Sequence, residues 1–195
     1  MSIKINYKSS ASKKNLSNPI FFVDEKFNLS DLKKNISINE YSYISELLKI
    51  NDLKKNIFFF KINSKKTIYL LSLKKDHKIS DLESLGAKFF DFISNDKQNN
   101  YLINSELINN KVENFVGYFL HGLKLKSYEF DKYKSKKKNK NIFINVIGNK
   151  NRVSSQSQLR FKAIEEGTFF ARDLVSEPGN VLHPDEYAKR INSLK

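Results

Sequence analysis

The chain contains 195 residues, of which 39% are hydrophobic and 13% aromatic, and it carries a formal net charge of +14. That apolar content suffices for a folded core and excludes global disorder, while the absence of Cys excludes disulfides, thiolate metal sites and thiol nucleophiles. No apolar stretch approaches the ~20 residues of a membrane span, and none near Met1 has signal-peptide length, so a cytoplasmic protein without a membrane partner is expected.

Strand-like and helix-like patterns alternate along the first half of the chain. Residues 3–7 place two Ile and one Tyr at a spacing of two, which predicts a half-buried strand. The continuous apolar run of residues 19–24 predicts a strand that is covered on both faces. Residues 40–50 predict a short helix, and the two β-rich runs within residues 56–73 predict a hairpin or adjacent strands.

Two amphipathic helices and a further strand follow. Ser80 and Glu83 form a capping-box pattern, and the apolar spacing after them predicts a helix to about Ser94. A second apolar stripe predicts a helix over roughly residues 110–125, and residues 141–148 have the pattern of another buried strand. Together these patterns predict an α/β fold in which strands lie between two helical layers.

The character of the sequence changes at Ser154. Apolar residues at a spacing of three to four predict one helix of about twenty residues that ends before a turn. Gly167 falls inside this pattern, and we interpret it as a small residue that permits close packing rather than as a helix end. Pro184 suits the first turn of a further helix. The apolar residues that remain uncovered at the end of the chain are Leu174, Tyr187, Ile191 and Leu194.

The segment FFARDLVSEPGNVLHPDEY, residues 169–187, resembles the segment that joins the two domains of the leucyl aminopeptidases, also called cytosol aminopeptidases. In that family this helix and turn lead from an N-terminal α/β domain into the catalytic domain. A second resemblance covers residues 122–138, with a Ser-Tyr-x-Phe-Asp-x-Tyr-Lys pattern and a lysine-rich tail. Ser176 departs from the family pattern, because Asn is expected there. The linker motif matches at Ala171, Arg172, Asp173, Leu174, Glu177, Pro178, Gly179 and Asn180.

The resemblance implies a macro-domain-like N-terminal domain over residues 1–150, with a mixed sheet between helical layers. A linker helix over residues 151–176 and the beginning of the catalytic domain over residues 177–195 are implied as well. It also implies a metal-dependent peptide hydrolase, assembled as a hexamer, whose C-terminal domain holds two divalent ions, Mn or Zn. Those ions would activate a bridging water and polarise the scissile carbonyl. No catalytic or metal-binding residue is therefore expected in this chain, which alone would be inactive and would serve positioning and oligomer assembly.

A lysine-rich loop supports a second hypothesis, in which the chain is a stand-alone module that binds nucleic acid. Lysines beside aromatic residues can neutralise phosphates while the rings stack on bases. Against this, Lys, Asn, Ile and Phe share A- and T-rich codons, so genome composition can account for the charge, and a solvated loop can account for the lysines. The candidate contacts are Lys132, Lys134, Lys136, Lys137, Lys138 and Lys140.

Overall fold

Within residues 2–8, 18–109, 112–136 and 140–194, which the computed structural model describes, six strands form one mixed sheet. The strands are β1 (Ser2–Lys8), β2 (Asn18–Val23), β3 (Ile57–Lys61), β4 (Thr67–Ser72), β5 (Asn100–Asn104) and β6 (Asn141–Ile147). Their order across the sheet is β1-β6-β5-β2-β4-β3. β3 runs antiparallel to β4, as the short connection between them predicts, whereas the other neighbours are parallel.

Five α-helices accompany the sheet in the same described residues, which confirms the predicted α/β class. They are α1 (Ile38–Ile50), α2 (Ile79–Ser94), α3 (Phe115–Lys126), α4 (Ser155–Ser176) and α5 (Pro184–Asn192). A capping box begins α1: the Glu40 amide donates to Ser37 Oγ, and the Ser37 amide donates to the Glu40 carboxylate. None of the helices in the described residues is long and apolar enough to cross a bilayer.

Each face of the sheet buries its own hydrophobic core, as expected for strands between two helical layers. α2 and α3 cover one face, where Phe89 and Phe119 pack against Tyr101. α1 covers the other face over β2, β4 and β3, where Ile44 packs with Leu70. The apolar runs of β2 and β4 follow from this arrangement, because their side chains are buried on both faces.

The layer formed by α2 and α3 depends on two glycines where the helices cross. A Cβ at Gly86 would lie 1.9 Å from the Phe119 carbonyl oxygen, and one at Gly122 would lie 2.0 Å from the Glu83 carbonyl oxygen. Both distances are far inside van der Waals contact. The absence of a side chain at these positions therefore allows the two backbones to touch.

Three local predictions are wrong. α2 begins at Ile79 rather than after a Ser80 cap, because Asp81 Oδ2 accepts the Lys78 amide at 2.7 Å. α3 begins at Phe115 rather than near residue 110: Asn114 has φ of 56°, in the left-handed region that a right-handed helix does not continue. Residues 110 and 111 lie outside the described residues. Gly167 lies in the middle of α4, but no atom of the described residues lies within 4 Å of its Cβ position, so the expected close packing is absent among them.

Candidate functional site

One side of the linker helix α4 packs against α3. The Phe161 ring tilts over His121 with 5.4 Å between centroids, and Lys124 Nζ donates to Glu165 Oε1 at 3.0 Å. Further along, Arg172 Nη1 donates to the Leu125 carbonyl oxygen at 2.5 Å. These contacts fix the side of α4 that faces the α/β domain and leave the opposite side to solvent.

The charged residues of the linker motif contact other parts of the chain through their side chains, whereas its small and apolar residues are exposed or half-buried. The Arg172 guanidinium lies over the Tyr128 ring at 5.5 Å, and Asp173 Oδ1 accepts the Tyr128 hydroxyl at 2.8 Å. Ala171 is exposed and Leu174 is half-buried. Pro178, Gly179 and Asn180 form the exposed turn after α4.

Glu177, the remaining residue of the motif, is the centre of a polar clasp. Its side chain is only 1% exposed, and its carboxylate accepts hydrogen bonds from Lys132 Nζ at 2.5 Å, from the Tyr133 hydroxyl, and from Arg190 Nη1 at 2.9 Å. The bond from Lys132, followed by those from Tyr133 and Arg190, lowers the pKa of Glu177 to about 2. The clasp therefore joins the end of α4, the lysine-rich loop and α5.

Sequence reasoning did not identify the partners of Glu177. Lys132 and Tyr133 precede it by 45 and 44 residues, and Arg190 follows it by 13. No local pattern links positions so far apart. The only sequence signal was the resemblance itself, which placed the Tyr-Lys loop and the Glu-Pro-Gly-Asn turn in the same protein.

The lysine-rich loop is not assembled as one basic surface in the described residues. Lys132 binds Glu177, and Lys134 Nζ donates to Glu129 Oε1 at 2.7 Å. Lys140 Nζ donates to the carbonyl oxygens of Ile93 at 2.6 Å, Ser94 at 3.3 Å and Asp96 at 2.5 Å, which satisfies the carboxyl end of α2. Lys136 is exposed, whereas Lys137 and Lys138 lie outside the described residues.

The described residues do not fit a pair of divalent metal ions. No group of three or more His, Asp or Glu side chains converges there. His77 Nδ1 lies against the Lys74 carbonyl oxygen, His121 Nδ1 lies 2.8 Å from Glu83 Oε1, and His183 precedes α5. No step of a metal-assisted hydrolysis can therefore be derived from these side chains.

Several large apolar side chains of α4 and α5 are accessible to solvent, beside exposed charged residues such as Lys162 and Glu166. Neither helix, both of which are fully described, contains a buried residue. Leu159 is 68% exposed and Val175 is 87% exposed, and the open position of Gly167 lies between them. Tyr187, Ile191 and Leu194, in or just after α5, are exposed as well. We call these residues the α4–α5 face.

No protein-family model matches the chain. A probable cytosol aminopeptidase of Methylorubrum extorquens is 40% identical to it over 82 residues, which cover 40% of this chain and 16% of that protein. Over these residues the chain is similar to the cytosol aminopeptidases. The predicted recognition is thereby confirmed, although the chain spans less than two thirds of the length of the relatives it matches.

The fold of this chain also occurs in solved structures of other proteins. A mutant tomato leucine aminopeptidase superposes with a TM-score of 0.70 at 17% identity, covering 99% of this chain and 42% of the tomato chain. The bottromycin maturation enzyme BotP, solved in complex with Mn, superposes with a TM-score of 0.59 at 14% identity, covering 91% of this chain and 35% of that chain. The α/β domain and the helices that follow it thus have the leucine aminopeptidase fold.

Proposed function

We propose that this chain is the N-terminal, non-catalytic part of a metal-dependent leucyl aminopeptidase that removes N-terminal residues from peptides. Residues 1–150 form its α/β domain, residues 151–176 its linker helix, and residues 177–195 the beginning of the catalytic domain. The relation to the cytosol aminopeptidases supports this assignment, as does the share of the tomato leucine aminopeptidase that the chain covers.

The α4–α5 face carries the proposal. Exposed side chains such as Val175 gain nothing from the chain's own core, and Gly167 costs a helix interior about 1 kcal/mol relative to alanine without any close contact in return. A large exposed apolar surface usually marks an interaction site. The face fits a catalytic domain in the same polypeptide, because the relatives are much longer than their matched segment.

The chemistry then belongs to that other domain. The relatives are named aminopeptidases, and BotP was solved with Mn, so two divalent ions, Mn or Zn, would activate the attacking water there. The residues of this chain would orient the linker through Arg172, Asp173 and the Glu177 clasp, and would take part in assembly of a cytosolic hexamer.

The first experiment tests whether the catalytic activity requires residues outside this chain. The purified 195-residue chain should not hydrolyse leucine p-nitroanilide, either alone or with added Mn²⁺ or Zn²⁺, and the reading frame beyond codon 195 should encode a carboxylate-rich metal-binding domain. Metal-dependent hydrolysis by this chain would contradict the proposal, and so would a stop codon at that point. Binding of a single-stranded RNA oligonucleotide that weakens steeply with salt would instead favour the nucleic-acid module.

A second experiment tests the face itself in the complete reading frame. The double substitution Leu159→Lys and Val175→Lys should lower aminopeptidase activity and hexamer content together, because charges would enter the domain contact. A matched control is Ile38→Lys with Ile50→Lys, which changes two equally exposed apolar residues on α1. Equal effects of the two double substitutions would show that the α4–α5 face has no special role.

A further inference from the structure

β3 forms one edge of the sheet, and its outer side has no strand partner among the described residues. The Ser72 amide donates to the Asn56 carbonyl oxygen, and the Ile62 amide donates to that of Lys66. Backbone groups alternate in direction along an antiparallel ladder, so even-numbered residues of β3 face β4. The N–H and C=O groups of Ile57, Phe59 and Lys61 consequently point outward from the sheet.

An aromatic groove runs beside this edge. The Phe59 side chain is 48% exposed and that of Phe92 on α2 is 41% exposed, with 6.2 Å between their ring centroids. They line a cavity of about 520 Å³ together with Tyr69, whose hydroxyl donates to Asp96 Oδ2 at 2.5 Å. An added strand would place alternate side chains against these rings and extend the core that α2 covers.

The surroundings of the edge are basic. Lys61 lies in β3 and Lys97 lines the groove, while three further lysines flank the strand in sequence. The nearby acids are already engaged: Asp52 Oδ1 accepts the Lys54 amide at 3.1 Å, and Asp96 accepts the Tyr69 hydroxyl. The flanking lysines are Lys54, Lys55 and Lys65.

This charge disfavours a second copy of the chain as the partner. An antiparallel pairing of two β3 strands centred on Phe59 would set Ile57 opposite Lys61, so that Lys55 of one copy would lie diagonally beside Lys61 of the other. Like charges in neighbouring cross-strand positions are destabilising. Lysines on an edge strand serve to prevent such self-association, but they attract a partner of opposite charge.

We propose that the outer edge of β3 binds an extended acidic peptide segment by strand addition. Backbone hydrogen bonds to Ile57, Phe59 and Lys61 would supply affinity, apolar residues of the segment would fill the groove at Phe59 and Phe92, and acidic residues would meet the lysines. This surface is separate from the α4–α5 face, and the proposal does not depend on the aminopeptidase assignment.

The test uses a fluorescein-labelled peptide, Thr-Glu-Thr-Phe-Thr-Glu-Thr, whose Phe and Glu side chains share one face of a strand as those of Phe59 and Lys61 do, and its counterpart with Lys in place of each Glu. The chain should bind the acidic peptide, and Lys61→Glu with Lys97→Glu should weaken that binding about tenfold or more while creating affinity for the basic peptide. The matched control is Lys26→Glu with Lys75→Glu, which changes the net charge equally at the opposite end of the strands. The control should alter binding by less than about twofold.

Amide hydrogen exchange identifies the binding mode. On addition of the acidic peptide, exchange at Phe59 should slow about tenfold or more, whereas Phe58 and Phe60 are already bonded to β4 and should change little. Equal weakening by both double substitutions, unchanged exchange at Phe59, or no binding to the folded chain would overturn the proposal. A dimer that protects Phe59 without peptide would assign the edge to a second copy and would also overturn it.

Discussion

Two glycines inside helices should respond in opposite ways to the same substitution. At Gly122 in α3, an alanine Cβ would lie 2.0 Å from the Glu83 carbonyl oxygen of α2. At Gly167 in α4, nothing lies within 4 Å of the Cβ position. Alanine favours the helix at both sites by about 1 kcal/mol. The structural contexts alone determine the difference between the two variants.

The expected magnitudes follow from what each Cβ meets. The obstacle at Gly122 is backbone, which cannot rotate away as a side chain can, so α2 and α3 must separate by roughly 1 Å or more. Overpacking of this kind costs about 1–3 kcal/mol and occasionally more. Gly122→Ala should therefore lower the free energy of unfolding by about 2 kcal/mol or more, whereas Gly167→Ala should raise it by about 1 kcal/mol.

Urea denaturation followed by circular dichroism and by tyrosine fluorescence measures both values, and agreement of the two probes tests whether unfolding is two-state. Gly86→Ala, which faces the Phe119 carbonyl oxygen at 1.9 Å, provides an independent repeat of the unfavourable case. The reasoning fails if Gly122→Ala is neutral, because the helices would then not be in backbone contact. It also fails if Gly167→Ala destabilises the chain.

Three further predictions concern the polar contacts. Lys140→Met should destabilise the chain by about 1–2 kcal/mol and speed amide exchange at the carboxyl end of α2, whose carbonyl groups lose their donor; unchanged exchange there would contradict that role. Glu177→Gln should speed exchange throughout α5, and identical rates in both proteins would show that the clasp does not hold α5. The pKa of Glu177 falls to about 2 in the folded chain. The stabilisation that its carboxylate gives to the folded chain is therefore complete above the unfolded pKa of ~4.3 and is lost as the pH falls towards 2. α5 of the native chain should therefore lose protection from amide exchange between these two pH values. An equal loss of protection in the Glu177→Gln variant would contradict the role of the Glu177 carboxylate.

Much of the fold could be predicted from local patterns. The strand at residues 3–7, the apolar run at residues 19–24 and the helix before Glu177 all lie where the spacing placed them. In each of these elements the spacing of the apolar residues is that of a strand or of a helix, so the sequence pattern is sufficient to predict the element. The long helix persisted through Gly167 because one glycine costs little against the remaining backbone hydrogen bonds.

The errors arose where several local solutions compete. Ser80 could cap a helix, but Asp81 accepts the Lys78 amide, so the helix begins two residues earlier than a Ser80 cap would set it. Glu83 is then free to meet His121 on α3, a contact between residues 38 positions apart. Asn114 ends the preceding turn in a left-handed conformation that no apolar spacing indicates. The spacing of apolar residues alone does not decide between such local alternatives.

The candidate site shows the same limit, because the sequence does not reveal which residues of the lysine-rich loop have partners inside the chain. Lys132, Lys134 and Lys140 are used within the chain, one in the Glu177 clasp, one on Glu129 and one at the end of α2. α4 contacts the α/β domain through Phe161, Glu165 and Arg172, while Leu159 and Val175 on the same helix are 68% and 87% exposed. The distribution of apolar side chains, rather than the charge of +14, is therefore the property that favours a protein partner for this part of the chain.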